Sequence, residues 1–204
     1  FSGLLLRHTT EELRELIYKS KEIYPQIWKG IKWSERKMQW EAPSGARLWM
    51  SYLDREDDVL RYQGLAFSWI GFDELTQWAT PYAWNYMRSR LRSVASDLPV
   101  YMRATTNPGG PGHQWVKKMF IDPAPYGRQF DATDIESGNI LSYPKGHTKS
   151  GQPLFKRRFI PARLSDNPYL AETGDYETML LSLPEHQRKQ LLEGDWDIKE
   201  GAAF

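Results

Sequence analysis

One recurring pattern constrains the fold of this chain more than any other. A short apolar run stops on a polar residue and is followed by the start signal of a helix. Gly3-Leu4-Leu5-Leu6-Arg7-His8 is long enough for one buried strand. It runs into Thr9-Thr10-Glu11-Glu12, where Thr9 and Glu12 have the spacing of a capping box. Leu13, Leu16, Ile17 and Tyr24 then recur at helical spacing, and Pro25 is expected to end the helix. The run from Phe67 to Phe72 stops on Asp73-Glu74, and Thr80-Pro81 supplies the next start, with Thr as N-cap and Pro in the first turn. Tyr82 and Tyr86, with the preceding Leu75 and Trp78, are expected to mark the buried side of that helix, and Arg88, Arg90 and Arg92 its last turns. A third run, Leu98 to Met102, leads into Arg103-Ala104-Thr105-Thr106-Asn107-Pro108-Gly109-Gly110, and a short helix is expected over 113–121. Strands and helices in alternation make an α/β sheet.

The intervening segments read differently. Residues 31–67 read as strands folded about Pro43-Ser44-Gly45, with a charged loop from Asp54 to Asp58. Residues 122–154 are punctuated by Pro and Gly and read as a long irregular loop, of a kind that is usually functional or mobile. Phe159-Ile160-Pro161-Ala162 is expected to be a short strand. In the tail, Tyr176, Met179, Leu180 and Leu183 share one helical face, and Ser182 with Pro184 restarts a helix that Gly194 closes. No internal repeat is visible.

Composition excludes several classes of protein. A chain of 204 residues can bury a sizeable core without staples. It has no cysteine, which removes disulfides, thiolate-ligated zinc and a thiol nucleophile together. No apolar stretch is long enough to span a membrane. The net charge of +1 argues against a chain-wide basic surface. That balance hides an uneven distribution. From Lys145 to Arg163 there are six Lys and Arg and no acids, whereas Leu164 to Glu200 carries nine acids and three bases. The 9 Trp, 11 Tyr and 8 Phe suit a core built on large rings, or a surface that stacks on sugars or bases.

Two constellations can carry chemistry. Trp69-Ile70-Gly71-Phe72-Asp73-Glu74 ends an apolar strand in two carboxylates, at the sheet edge where α/β folds bind ligands. In nucleotide hydrolases one such carboxylate holds Mg²⁺ and its neighbour positions the attacking water. Acids also end strands and cap helices for purely electrostatic reasons. Thr105-Thr106-Asn107, before Pro-Gly-Gly, presents hydroxyls and an amide at a second strand end, able to sense a phosphate or a water; an ordinary turn would use the same residues. The glycine-rich Gly-x-x-x-x-Gly-Lys-Ser/Thr phosphate loop does not occur in these residues, and Gly146-His147-Thr148-Lys149-Ser150 lacks its spacing. Such a loop is expected upstream of Phe1. Other echoes fail on order or context. Ser34-x-x-Lys37, Ser165-Asp166-Asn167 and Lys149-Ser150-Gly151 run in the wrong order for a serine β-lactamase. Glu35-Arg36-Lys37 is too common a tripeptide to identify a metal nuclease, and His8, His113, His147 and His186 share no ligand spacing.

With these residues in view, the sequence resembles the large terminase subunit of tailed bacteriophages, the motor that pumps DNA into procapsids. Leu4-Leu5-Leu6-Arg7-His8-Thr9 and its helix look like the family's elements after Walker A. Tyr62-Gln63-Gly64-Leu65 through Asp73-Glu74 look like the approach to Walker B. Arg103 to Gly110 looks like the coupling motif. Phe159 to Arg163, Asp166-Asn167-Pro168 and Leu191-Leu192-Glu193-Gly194-Asp195-Trp196 look like the end of the ATPase region.

The resemblance implies a P-loop NTPase (RecA/ASCE-like) sheet flanked by helices, without its Walker A unit. Residues 1–165 would be the later part of the ATPase core. Residues 166–204 would be a helical lid or linker subdomain leading to a nuclease domain beyond Phe204. It implies ATP and Mg²⁺ as cofactors, Asp73 as the Mg²⁺ ligand and Glu74 as the general base. Thr105, Thr106 and Asn107 would couple phosphate state to movement. Arg61, twelve residues before Asp73, would be the arginine finger of a neighbouring site, with Arg7 and Arg103 as competitors for that role. Lys156, Arg157 and Arg158 would contact DNA phosphates. The implied partners are double-stranded DNA, the portal protein, the small terminase subunit and further copies in a ring on the procapsid, all in the cytoplasm of the infected bacterial host. A segment without Walker A would not hydrolyse ATP by itself. Two other readings stay open: a helicase or other P-loop repair ATPase, and a non-enzymatic aromatic-rich binding module.

Overall fold

The computed structural model describes residues 1–93, 97–169 and 174–197. The chain divides into two compact units, Phe1–Thr106 and Asn107–Phe204. This division falls within the coupling motif and is separate from the functional boundary expected at 165/166.

The first unit is a six-stranded sheet in the order β2-β3-β4-β1-β5-β6. Its strands are β1 (Ser2–Arg7), β2 (Lys32–Ser34), β3 (Gln39–Glu41), β4 (Arg47–Tyr52), β5 (Trp69–Phe72) and β6 (Tyr101–Ala104). β4, β1, β5 and β6 run parallel, so all four present their carboxyl ends along one edge. β2 and β3 extend the sheet antiparallel, through the turn at Pro43-Ser44-Gly45. The sheet is mostly parallel and mixed with helix, as the alternation predicts.

The capping box forms as its spacing predicts. Thr9 Oγ1 accepts the Glu12 N–H and the Glu12 carboxylate accepts the Thr9 N–H, starting α1 (Thr10–Ile27). Leu13 and Ile17 of α1 close on Trp40 and Met50, with Leu5 packed against them. The alternate residues Leu4, Leu6, Ile70 and Phe72 fill the other face of the sheet. There the Phe72 ring meets Trp78 at 5.1 Å and Trp84 of α2 (Tyr82–Arg88) at 5.4 Å. Burying one such aromatic stabilises by roughly 1.5–3 kcal/mol.

Several expectations are corrected. Pro25 lies inside α1, because the Trp28 N–H reaches the Tyr24 carbonyl at 2.8 Å and closes the last turn without the missing proline donor. Glu56–Tyr62 is a 3₁₀ helix within the stretch expected to be strand and loop. On α2 the buried residues are Ala83, Trp84 and Met87. Tyr82 is exposed and Tyr86 only half-buried, and their rings meet at 6.1 Å, because a phenol hydroxyl is better left in water than an indole or thioether. The N-cap is Pro81 and not Thr80, one residue later than expected; Thr80 Oγ1 accepts the Tyr82 N–H from outside the helix.

The second unit begins with α3 (His113–Val116), which continues as a π-helical turn over Lys117–Ile121. β7 (Gln129–Asp131) and β8 (Lys156–Arg158) then pair antiparallel. Between them the expected irregular loop is an ordered β excursion. Bridges join Thr133 to Ile140 and Ser142 to Pro153, and Leu141 hydrogen-bonds both Ala132 and Leu154. The strand expected over 159–162 is replaced by β8. Its ladder ends where the Phe159 carbonyl takes the Gly127 N–H at 2.8 Å, and Pro161 has no donor to continue it. In the tail, Asp175–Leu181 is helical; Leu180 is buried, but Met179 is 64% exposed and leaves the shared face expected for it. The side chain of Tyr176 lies outside the described residues. The helix restarted at Glu185 is closed by Gly194 at φ 63°, as expected.

Candidate functional site

The carboxyl edge of the parallel strands gathers the candidate site of the first unit. Parallel pairing sets Leu6 beside Phe72 and Phe72 beside Ala104. The ladder continues one step past the strands, where the Asp73 N–H reaches the Leu6 carbonyl at 2.9 Å and the Thr105 N–H reaches the Phe72 carbonyl at 3.0 Å. The next residue of each strand, Arg7, Asp73 and Thr105, is thereby set along one line.

Both oxygens of Asp73 are engaged. The Thr105 hydroxyl donates to Oδ1, and Arg7 Nε lies 2.8 Å from Oδ2. The two ion-pair side chains are 17% and 20% exposed, so the carboxylate is sheltered but reachable from solvent. Thr105 also serves the neighbouring acid, since its Oγ1 accepts the Glu74 N–H at 3.2 Å. One hydroxyl therefore ties together both members of the Asp-Glu pair. Glu74 is half-buried and occupies the left-handed region at φ 59°, a conformation costing a non-glycine residue on the order of 1–3 kcal/mol. The sharp turn ends β5 at once and starts the Leu75–Gln77 3₁₀ turn. The Leu75 N–H bonds the Thr105 carbonyl at 2.9 Å, and Thr106 Oγ1 accepts the Thr76 N–H at 3.2 Å. Asp73, Glu74, Thr105 and Thr106 are thus brought together. Asn107 is exposed and opens the second unit.

Arg61 sits at the same edge, bound elsewhere. Its Nη2 donates to the carbonyl of Tyr52, the last residue of β4, at 2.7 Å. It also lies 3.5 Å from Asp58 and over the Tyr52 ring. Arg103 lies over the ring of Tyr101. Glu35, of the nuclease-like tripeptide, is paired with Lys21, which holds its carboxyl below the ordinary range.

In the second unit the run Lys156-Arg157-Arg158 is split by strand alternation. Lys156 and Arg158 are exposed, Lys156 lying 3.1 Å from Asp131. Arg157 is buried between the rings of Phe120 and Phe155 and donates to the Thr133 carbonyl at 2.9 Å. The expectation that all three contact DNA is corrected for Arg157, whose aliphatic stem and planar head fill an aromatic slot.

Sequence reasoning gave His113 no role. It is buried, accepts the Gly109 N–H at 2.8 Å on Nδ1 and stacks on Trp196 at 5.2 Å. Lys117 holds Asp197 at 2.7 Å, which pushes the Asp197 carboxyl down and the Lys117 ammonium up. The tail is thereby joined to the segment that follows Asn107-Pro108-Gly109-Gly110. The position of His113, three residues beyond Gly-Gly at a helix start, was the available signal.

Among the described residues no group of three or more His, Cys, Asp or Glu is arranged to hold a metal. The donors at the edge nevertheless suit Mg²⁺, a hard cation usually bound through one or two carboxylates completed by substrate phosphates. Asp73 is such a carboxylate, with the Thr105 hydroxyl beside it. No helix of the described residues is long and apolar enough to cross a membrane.

No family model matches the chain, and no curated protein matches it. Solved structures do. The chain is similar to the large terminase from a thermophilic bacteriophage in complex with ADP, with a TM-score of 0.61 and 16% identity over 96% of this chain and 40% of that one. A second crystal form of that phage's large terminase gives a TM-score of 0.63 at 14% identity, over 98% and 42% of the two chains. The same terminase in complex with ATP-gamma-S gives 0.61 at 14% identity, over 96% and 39%. The chain therefore spans about two fifths of the length of these structures, and what it shares with them is the fold.

Proposed function

We propose that this chain is part of the ATPase motor of a phage large terminase, coupling ATP hydrolysis to translocation of double-stranded DNA into procapsids. One observation carries the reading. The carboxyl edge of a parallel sheet aligns Arg7, Asp73 and Thr105 and bonds the Asp-Glu pair to the Thr105-Thr106 pair. The likeness in fold to terminase structures crystallised with ADP and ATP-gamma-S supports it.

In this reading the sheet is a P-loop NTPase sheet that takes its Walker A loop from upstream residues, and 166–204 serves as a lid or linker. Asp73 holds Mg²⁺, which when bound with ATP neutralises charge on the phosphates. Glu74 accepts the proton of the attacking water. Thr105, bonded to both acids, and Thr106, bonded to the following turn, pass a change at the phosphates to the chain beyond Asn107. Arg61 acts on the site of a neighbouring copy, after release from Tyr52 and Asp58. The exposed Lys145, Lys149, Lys156 and Arg158 supply phosphate contacts to DNA. The motor works as a ring on the portal, with the small terminase subunit, in the host cytoplasm.

The deciding experiment is DNA packaging into purified procapsids by the full-length protein. ATP-dependent filling that Asp73→Asn abolishes is expected. Strand separation without filling identifies a helicase-type ATPase instead. Carbohydrate binding without nucleotide binding returns the aromatic-module reading.

A further inference from the structure

We infer that Arg7 is a positioning residue for Asp73: it holds the carboxylate in the metal-free protein and yields it when a divalent cation arrives with nucleotide. The inference rests on the nucleotide-hydrolysing reading of the Asp73 edge.

Arg7 is brought there by the sheet itself. It is the last residue of β1, one step beyond the Leu6–Phe72 pair, so the backbone ladder fixes it beside Asp73. Its own carbonyl takes the Leu53 N–H at 2.9 Å, which anchors the strand end on the opposite side. Among the described residues, the Arg7 guanidinium is the cation in contact with the Asp73 carboxylate. The described bonds of Arg61 go to Tyr52 and Asp58, and Arg103 lies over Tyr101.

The geometry of the pair makes it replaceable. Nε is 2.8 Å from Oδ2, yet the buried Nε–H makes no aligned hydrogen bond. The contact is held by charge, without the directed bidentate fork that makes an arginine–carboxylate pair durable. Oδ1 is occupied independently by the Thr105 hydroxyl, a neutral donor. A divalent cation on Oδ2 would place two positive charges against one oxygen, so cation and guanidinium compete for it. Arg7 therefore does two things. Without metal it keeps a sheltered carboxylate neutralised and in place. It also lowers the affinity for free cation, so that stable binding requires the additional charge of nucleotide phosphates.

The test uses full-length protein and Mn²⁺ as an electron-paramagnetic probe, with ATP-gamma-S present. Arg7→Ala is expected to bind Mn²⁺ about tenfold more tightly than the unaltered protein. Arg7→Gln, which keeps polarity and part of the aliphatic stem without the charge, is expected to do the same and guards against misfolding of the alanine variant, with circular dichroism as the check. In metal-free protein, Arg7→Ala and Asp73→Asn are expected to be coupled in a double-mutant cycle of urea unfolding, the double variant losing less than the sum of the single losses. Equal or weaker Mn²⁺ binding by the Arg7 variants overturns the inference while leaving the nucleotide reading intact, as does additivity of the two substitutions in the metal-free cycle. Absence of Mn²⁺·ATP-gamma-S binding in every protein, the unaltered one included, sinks the nucleotide reading and the role of Arg7 with it.

Discussion

The two units of this chain hold themselves together by different means. Phe1–Thr106 is organised by parallel pairing, in which each strand end is fixed by its neighbours through a repeated backbone ladder. Asn107–Phe204 has, among its described residues, only a short antiparallel ladder and scattered bridges, and adds side-chain ties: a cation in an aromatic slot, a histidine stacked on a tryptophan, and an ion pair joining Lys117 to Asp197. A ladder aligns residues of distant sequence without consulting their chemistry, so it can set an arginine, two acids and a threonine along one edge. Side-chain ties depend on single residues and are easier to remake.

The contrast can be broken at several points, in falling order of effect. Phe72→Ala removes a ring buried against Trp78 and Trp84 and is expected to destabilise the protein by about 3–5 kcal/mol in urea unfolding. Arg157→Ala empties the slot between Phe120 and Phe155 and strands the Thr133 carbonyl; a loss of about 1.5–3 kcal/mol is expected by the same method. Glu74→Gly relieves the left-handed backbone and is expected to raise stability by roughly 1 kcal/mol, while removing the acid on which turnover would depend.

The smallest expected effect is the pH response of the Lys117–Asp197 pair. Asp197 is depressed below its ordinary 3.8, so its contribution is present above that value and lost as pH falls through the folded pKa. Lys117 is raised above 10.5, so its contribution is present below that value and lost as pH rises through the folded pKa. Asp197→Asn is expected to flatten the pH dependence of stability slightly at both ends. An unchanged profile would remove the pair from the ties of the second unit.

The same contrast decides what could be read in the residues. Gly3 to Arg7, Trp69 to Phe72 and the Thr9–Glu12 cap were legible because apolar runs and capping spacing are local signals that the parallel sheet obeys. The Asp73-Glu74 and Thr105-Thr106 ends were legible as separate candidates, and the alternation already placed them on strand ends. What could not be read was the pairing itself: that Thr105 bonds both acids, or that Arg7 and not Arg61 lies against Asp73. These are consequences of register. In the second unit the helices of 113–121 and of the tail were legible, but the β elements were not. The Pro and Gly of 122–154 marked turns within an ordered excursion, and Arg157 read as surface because its aromatic slot is built from residues on either side of a long insertion.

The central claim is that the Asp73–Glu74 edge hydrolyses nucleotide, and single-turnover ATP hydrolysis by full-length protein carrying Glu74→Gln tests it most directly. The account predicts that ATP still binds and that the rate falls by about 10²–10⁴, the share a general base supplies. Hydrolysis at the unaltered rate, with ATP bound, would contradict it.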